Sequence, residues 1–139
     1  MLMRPRLVPY FARQLDEYRA TTAAFVRGRG LYMEMAALDE LAAKLRVTPL
    51  SAFGFAYDYF DQSVQWHPAS EALATIGALQ SGLDARLRAA PDVAADLEAL
   101  GAVVRAAADR GVEFSLVVRL HGKDSLQDLS RENRQGSFW

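Results

Sequence analysis

The chain has 139 residues, of which 51% are apolar and 24% charged, and this balance is typical of a single globular domain and not of a disordered chain. Its net charge of -1 provides no overall attraction to nucleic acid or to an anionic membrane, and the absence of cysteine excludes disulfides and thiolate metal sites. No apolar run approaches the roughly 20 residues that span a bilayer, and the N-terminal apolar stretch is shorter than a signal peptide requires, so we expect a cytoplasmic protein.

The N-terminal region predicts a short strand followed by a helix. The strand covers residues 2–8, where Pro5 would confine it to a sheet edge because proline cannot donate to a strand ladder. The helix is predicted from about Pro9 to Arg27, since apolar residues recur there at spacings of three and four. Pro9 suits its first turn, where a missing N–H is no loss.

Three further helices are predicted from the same periodicity. The second covers residues 31–46, the third begins with a proline and covers 68–89, and the fourth begins with another proline and covers 91–110. Gly111 follows the fourth helix at the position that most often ends a helix in a left-handed conformation.

The clearest strand covers residues 112–120, where apolar residues alternate over most of its length. A single strand cannot satisfy its backbone hydrogen-bonding groups, so it needs a partner. Residues 2–8 are the first candidate, and residues 63–66, predicted to be extended, are the second.

The fold predicted from these elements is α+β and helix-dominated, with about four main helices and a small two- or three-stranded sheet that includes residues 112–120. Residues 1–122 are expected to form a single globular domain. Residues 123–139 are polar and are expected to be a mobile C-terminal tail.

The most unusual stretch is residues 50–66, which hold six of the fourteen aromatic residues of the chain. These six are Phe53, Phe55, Tyr57, Tyr59, Phe60 and Trp66. The alternation from Phe53 to Tyr59 is typical of a strand, but the adjacent pair Tyr59-Phe60 breaks it. We therefore predict an irregular segment or one helical turn, and we expect Trp66 to pack in the same core as the helices.

Charge is one-sided around this aromatic stretch. Residues 47–85 contain no Lys or Arg, and their acids are Asp58, Asp61, Glu71 and Asp84. Because carboxylates are rarely buried without a partner, Asp58 and Asp61 must either reach water or pair with distant bases. The obvious distant bases are Arg4, Arg6 and Arg13. An exposed acidic rim around tyrosines would suit a basic protein partner.

The sequence contains no catalytic, cofactor-binding or nucleic-acid-binding constellation, and we therefore predict a non-enzymatic protein–protein interaction or regulatory module. Its partner is expected to be another protein, no cofactor or metal is expected, and a homo-oligomer is compatible with the sequence. The residues predicted to take part in the interaction are Tyr57, Asp58, Tyr59, Asp61, Trp66, His67 and Glu71.

Two other functions fit parts of the sequence. The first is a small-molecule-binding or hydrolytic site with polar groups from Asp58, Asp61, His67 and Glu71. The second is a helix-turn-helix DNA-binding protein, whose motif would cover residues 38–53. Its recognition helix would run from Pro49 to about Tyr59, which contains no base, so the pattern disfavours nucleic acid.

Overall fold

A computed structural model describes residues 5–13, 27–57 and 65–119, and for residues 55–57 the description covers the backbone. The strands are β1 (Arg6–Phe11), β2 (Gly54–Tyr57) and β3 (Phe114–Arg119). The helices are α1 (Arg29–Met33), α2 (Met35–Leu45), α3 (Ala69–Gly82), α4 (Ala85–Ala89) and α5 (Val93–Asp109), and a 3-10 turn (Leu50–Phe53) precedes β2. The described part is helix-dominated with one small sheet, which confirms the α+β class. The predicted tail, residues 123–139, lies outside the described residues.

The sheet has the strand order β1-β3-β2, with β3 in the middle. β1 runs antiparallel to β3, with Arg6 opposite Arg119 and Phe11 opposite Phe114. This confirms the strand predicted at residues 112–120 and its first candidate partner. His67, next to the second candidate, also pairs with β3. Its N–H donates to the Phe114 carbonyl at 2.8 Å, and the Phe114 N–H donates to the His67 carbonyl at 2.9 Å.

The helix predicted to begin at Pro9 is wrong at its start, because β1 continues through Pro9 to Phe11. The Leu7 N–H donates to the Gly28 carbonyl at 2.9 Å and therefore points away from β3. Backbone N–H groups alternate in direction along a strand, so the nitrogen of Pro9 also faces away from β3. Because β1 is at the edge of the sheet, the missing N–H of Pro9 costs no hydrogen bond between strands. The rest of that predicted helix, residues 14–26, lies outside the described residues.

The second and fourth predicted helices are confirmed, with one interruption. Residues 31–46 contain the end of α1 and all of α2, which are separated at Glu34. The sequence pattern does not mark this break. Residues 91–110 contain α5, and Gly111 follows with a φ of 66°, as the pattern predicts.

The third predicted helix, residues 68–89, is divided into α3 and α4 by an extended backbone at Leu83 and Asp84. The Asp84 carboxylate accepts a hydrogen bond from the Leu87 N–H at 2.8 Å. A capping aspartate of this kind starts a new helix, so the apolar periodicity continues across the break while the backbone does not.

The aromatic stretch begins as the 3-10 turn and continues as β2, which runs parallel to β3. The prediction of an irregular segment or one helical turn therefore missed a strand that the alternation itself indicated. Gly54 joins the two with a φ of 140°, and a Cβ there would lie 2.4 Å from the Leu116 carbonyl oxygen. Only glycine allows this approach of β2 to β3. Residues 58–64 lie outside the described residues.

The main core lies between the helices and one face of the sheet, which we call the helical face. Its strand residues are Leu7, Phe11, Phe114, Leu116 and Val118. The opposite side of β1 and β3, which we call the second face, is also buried. Its residues are Arg6, Val8, Tyr10, Ser115, Val117 and Arg119.

Candidate functional site on the second face of the sheet

The second face combines burial with charge. Arg6 and Arg119 lie directly opposite each other in the register of β1 and β3, and they are 2% and 5% exposed. The Arg119 guanidinium donates from Nη1 to the Tyr10 hydroxyl oxygen at 3.1 Å. Arginine is among the residues least often fully buried, so two at one position of a small sheet distinguish this face from an ordinary core.

The apolar part of the second face forms its own small cluster. Val8, Tyr10 and Val117 pack together there, and Trp66 packs against them while remaining partly exposed. Trp66 was expected in the same core as the helices, and this is wrong: the cluster it joins lies across the sheet from the helical core. The reason is alternation along an extended backbone, which sends neighbouring side chains to opposite faces.

His67 illustrates the same alternation, because its imidazole points toward the helical side. The ring lies edge-on to Phe53, with centroids 5.8 Å apart and planes at 83°. Its Nε2 is buried, and within the described residues it has no hydrogen-bond partner. The backbone bridge to Phe114 holds the segment in place, so Trp66 and His67 are fixed on either side of the sheet.

A small cleft of about 120 Å³ lies next to this segment, between the start of α3 and the connection from α5 to β3. Its lining residues are Pro68, Ala69, Ser70, Ala108, Gly111, Val112 and Glu113. Glu113 is exposed, and so is Glu71 in the first turn of α3. The segment that follows Trp66 therefore borders a shallow depression, and it has exposed carboxylates at Glu71 within α3 and at Glu113 just before β3.

The structure describes part of the predicted interaction site. Trp66, His67 and Glu71 lie in the segment from the sheet into α3, and Tyr57 is the last residue of β2. The other predicted contact residues, Asp58, Tyr59 and Asp61, lie outside the described residues. The imidazole of His67 is turned inward and Glu71 outward, and within the described residues no hydrogen bond joins them.

The recognition helix of the helix-turn-helix alternative is not a helix in the described residues. It would run from Pro49 to about Tyr59, and the structure has the 3-10 turn and β2 over the described part of that range. The glycine at position 54 and the alternating aromatic residues favour a strand that pairs with β3.

The sequence does not indicate that two arginines are buried opposite each other on the second face. It singles out Arg6 only as a base that could pair with a distant acid, and it marks Arg119 only as a residue on one side of the predicted strand. The signal available was that Ser115, Val117 and Arg119 share one side of the predicted strand. The sequence did not show that this side is buried, or that Arg6 lies opposite Arg119, because strand register cannot be read from a single strand's pattern.

A separate buried carboxylate lies in α5, on the helical side of the sheet. Asp96, 4% exposed in the first turn of α5, accepts hydrogen bonds from the N–H groups of Gly30 at 2.8 Å and Leu31 at 3.4 Å. Burial raises the pKa of Asp96, and the backbone hydrogen bonds oppose that effect without cancelling it. We regard this contact as structural, because it joins α1 to α5.

Within residues 5–13, 27–57 and 65–119, no three His, Asp or Glu side chains are grouped to hold a metal ion. No helix in those ranges is long and apolar enough to cross a membrane. No family model, curated protein or solved structure matches this chain. The functional argument therefore depends on the geometry of the chain itself.

Proposed function

We propose that this chain is a non-enzymatic protein–protein interaction or regulatory module that acts in the cytoplasm. The observation that carries the proposal is the position of Trp66. Its indole packs against the apolar cluster of the second face, and part of the residue remains exposed. The partner that this surface would suit is another protein.

A tryptophan held in this way is suited to binding. Tryptophan is enriched among the residues that dominate interface energies, because it presents a large area with few rotatable bonds. Packing on one side reduces the side-chain entropy that binding would otherwise cost. Trp66 is therefore the residue around which we expect an interface to form.

The charges near Trp66 indicate the kind of partner. Glu71 and Glu113 are exposed, and Asp58 and Asp61 belong to the same base-free part of the sequence. Carboxylates around an aromatic contact favour a basic partner surface and increase its association rate. We therefore propose a partner with Lys or Arg side chains around an apolar depression.

Site-directed photo-crosslinking tests this proposal in cells. A photoreactive amino acid replaces exposed Gln65 or Ser70, which flank the Trp66 surface, and in a control it replaces exposed Ala102 on α5. We expect one predominant protein adduct from the first two positions and none from Ala102. Equal adducts from all three positions, or none from any, would contradict an interface at Trp66.

A further inference from the structure

A groove of about 200 Å³ lies between α2 and α4, and all of its lining belongs to the described residues. Its apolar lining residues are Ala37, Leu41 and Leu87. Leu45, the last residue of α2, lies against Gly82, where a Cβ would be 2.8 Å from the Leu45 Cδ1. Arg86 of α4 pairs with Glu34, the residue before α2, with 3.0 Å between Nη2 and Oε1. These contacts bound the groove at both ends of α2.

Large apolar residues at the two ends of α2 are exposed. Among the described residues, the exposed large apolar side chains are Met33 at 59% and Leu45 at 38%. Leu45 is one helical turn after Leu41 of the groove, so the two share one side of α2. Met33 comes just before Glu34, at the other end of the helix. Apolar surface is therefore available along α2, and its removal from water would favour association with another surface.

The rims of the groove have charges of both signs. On α2, Glu40 and Lys44 are four residues apart, with 4.0 Å between Oε1 and Nζ, and each side chain is 73% exposed. On the opposite rim, Asp84 is exposed and the Arg86 side chain is 63% exposed. A surface of one sign repels its own copy, whereas alternating signs can pair with themselves after a twofold rotation. The groove therefore has the charge pattern that a contact between two identical surfaces needs.

We propose that this groove is the contact surface of a homodimer, in which α2 of a second copy packs antiparallel against α2 of the first. A twofold axis that passes between Glu40 and Lys44 puts Glu40 of each copy beside Lys44 of the other. The same rotation brings Leu41 and Leu45 of both copies into the contact. α2 has 11 residues and is about 16 Å long, so the contact is small and the dimer is weak. The dimer does not use Trp66, which packs on the second face of the sheet.

Sedimentation velocity of the full chain at low salt tests this dimer at concentrations from about 10 μM to about 1 mM. We expect the wild type to change from monomer to dimer within this range. Glu40→Lys and Lys44→Glu should each weaken self-association about 5–10-fold, because like charges then face each other across the axis. An equimolar mixture of the two variants should restore the dimer, since one copy then has two bases and the other two acids.

The mixture distinguishes this contact from a folding defect, because two misfolded chains would not restore each other. Glu98→Lys and Arg105→Glu are the matched controls, since both residues are exposed on α5, and neither change should affect self-association. A wild type that stays monomeric throughout, or a mixture that associates no better than its components, overturns the proposal. A photoreactive amino acid at position 44 that captures only a different protein in cells also overturns it, and assigns the groove to that protein.

Discussion

The carboxylate of Asp96 accepts a hydrogen bond from the backbone N–H of Gly30 at 2.8 Å, and this contact fastens α1 to the first turn of α5. The two backbones approach closely here, since a Cβ on Gly30 would lie 2.7 Å from the backbone of Asp92 and Val93. Gly28, two residues earlier, accepts from Leu7 at the outer edge of β1. Asp96 therefore stabilises the segment that covers the edge of the sheet.

Removal of this carboxylate should destabilise the fold. Asp96→Ala leaves two buried N–H groups without an acceptor, and we expect a loss of about 1–3 kcal/mol in the free energy of unfolding, measured by urea titration. Asp96→Asn retains an acceptor oxygen of similar position and serves as the control, with a smaller loss. A change below about 0.5 kcal/mol for Asp96→Ala would show that the contact contributes little.

The pH dependence of stability should reflect the same group. Burial raises the pKa of Asp96, so the folded chain holds this proton more strongly than the unfolded chain does. The stabilisation of the fold that comes from this bound proton is fully present below the unfolded pKa, about 3.9. It is lost as the pH rises through the raised folded pKa. The wild type should therefore lose stability relative to Asp96→Asn as the pH rises from the unfolded pKa through the raised folded pKa. If the wild type instead gains stability relative to Asp96→Asn as the pH rises, the backbone hydrogen bonds outweigh burial.

Two glycines give a matched pair of substitutions. Gly54→Ala should destabilise the fold by more than about 2 kcal/mol, because its Cβ would meet the Leu116 carbonyl and its backbone has a φ of 140°. Gly77→Ala should instead stabilise it by about 0.5–1 kcal/mol, since Gly77 lies within α3 with no atom near a Cβ. Both values come from chemical denaturation, and similar effects for the two variants would contradict the described contact of β2 with β3.

The sequence carried enough information for the main elements and less for their arrangement. Strand β3 and its partner β1 were predictable from alternation and from the need of a strand for a neighbour, and α5 from its apolar period. The position of Pro9 within a strand was not predictable, because a proline suits a helix start and a sheet edge equally well. The start of the predicted first helix therefore fell on β1.

The candidate site was less accessible to sequence reasoning than the fold. Trp66 and Glu71 were identified from aromatic content and charge, which are local properties. The opposition of Arg6 and Arg119 depends on strand register across 113 positions of sequence, and no local pattern encodes it. The inward orientation of His67 likewise follows from its bridge to Phe114 and not from its neighbours in the sequence.

Duplex DNA should not bind this chain in a sequence-selective way. Over its described residues, the segment predicted as the recognition helix is a 3-10 turn followed by a strand, and its sequence contains no base. In a mobility-shift titration we expect weak binding, if any, that disappears as salt is raised and does not distinguish DNA sequences. A selective shift at nanomolar protein would contradict this prediction.

The central claim is that a protein partner binds at the Trp66 surface, and the most direct test is the dissociation constant of the cross-linked partner. The test variant is Glu71→Gln with Glu113→Gln, and the matched control is Glu40→Gln with Glu98→Gln; all four glutamates are exposed. We predict about 3–10-fold weaker binding for the test variant at low salt, a smaller effect at high salt, and no change for the control. Equal affinities for the two double variants would contradict the proposed interface.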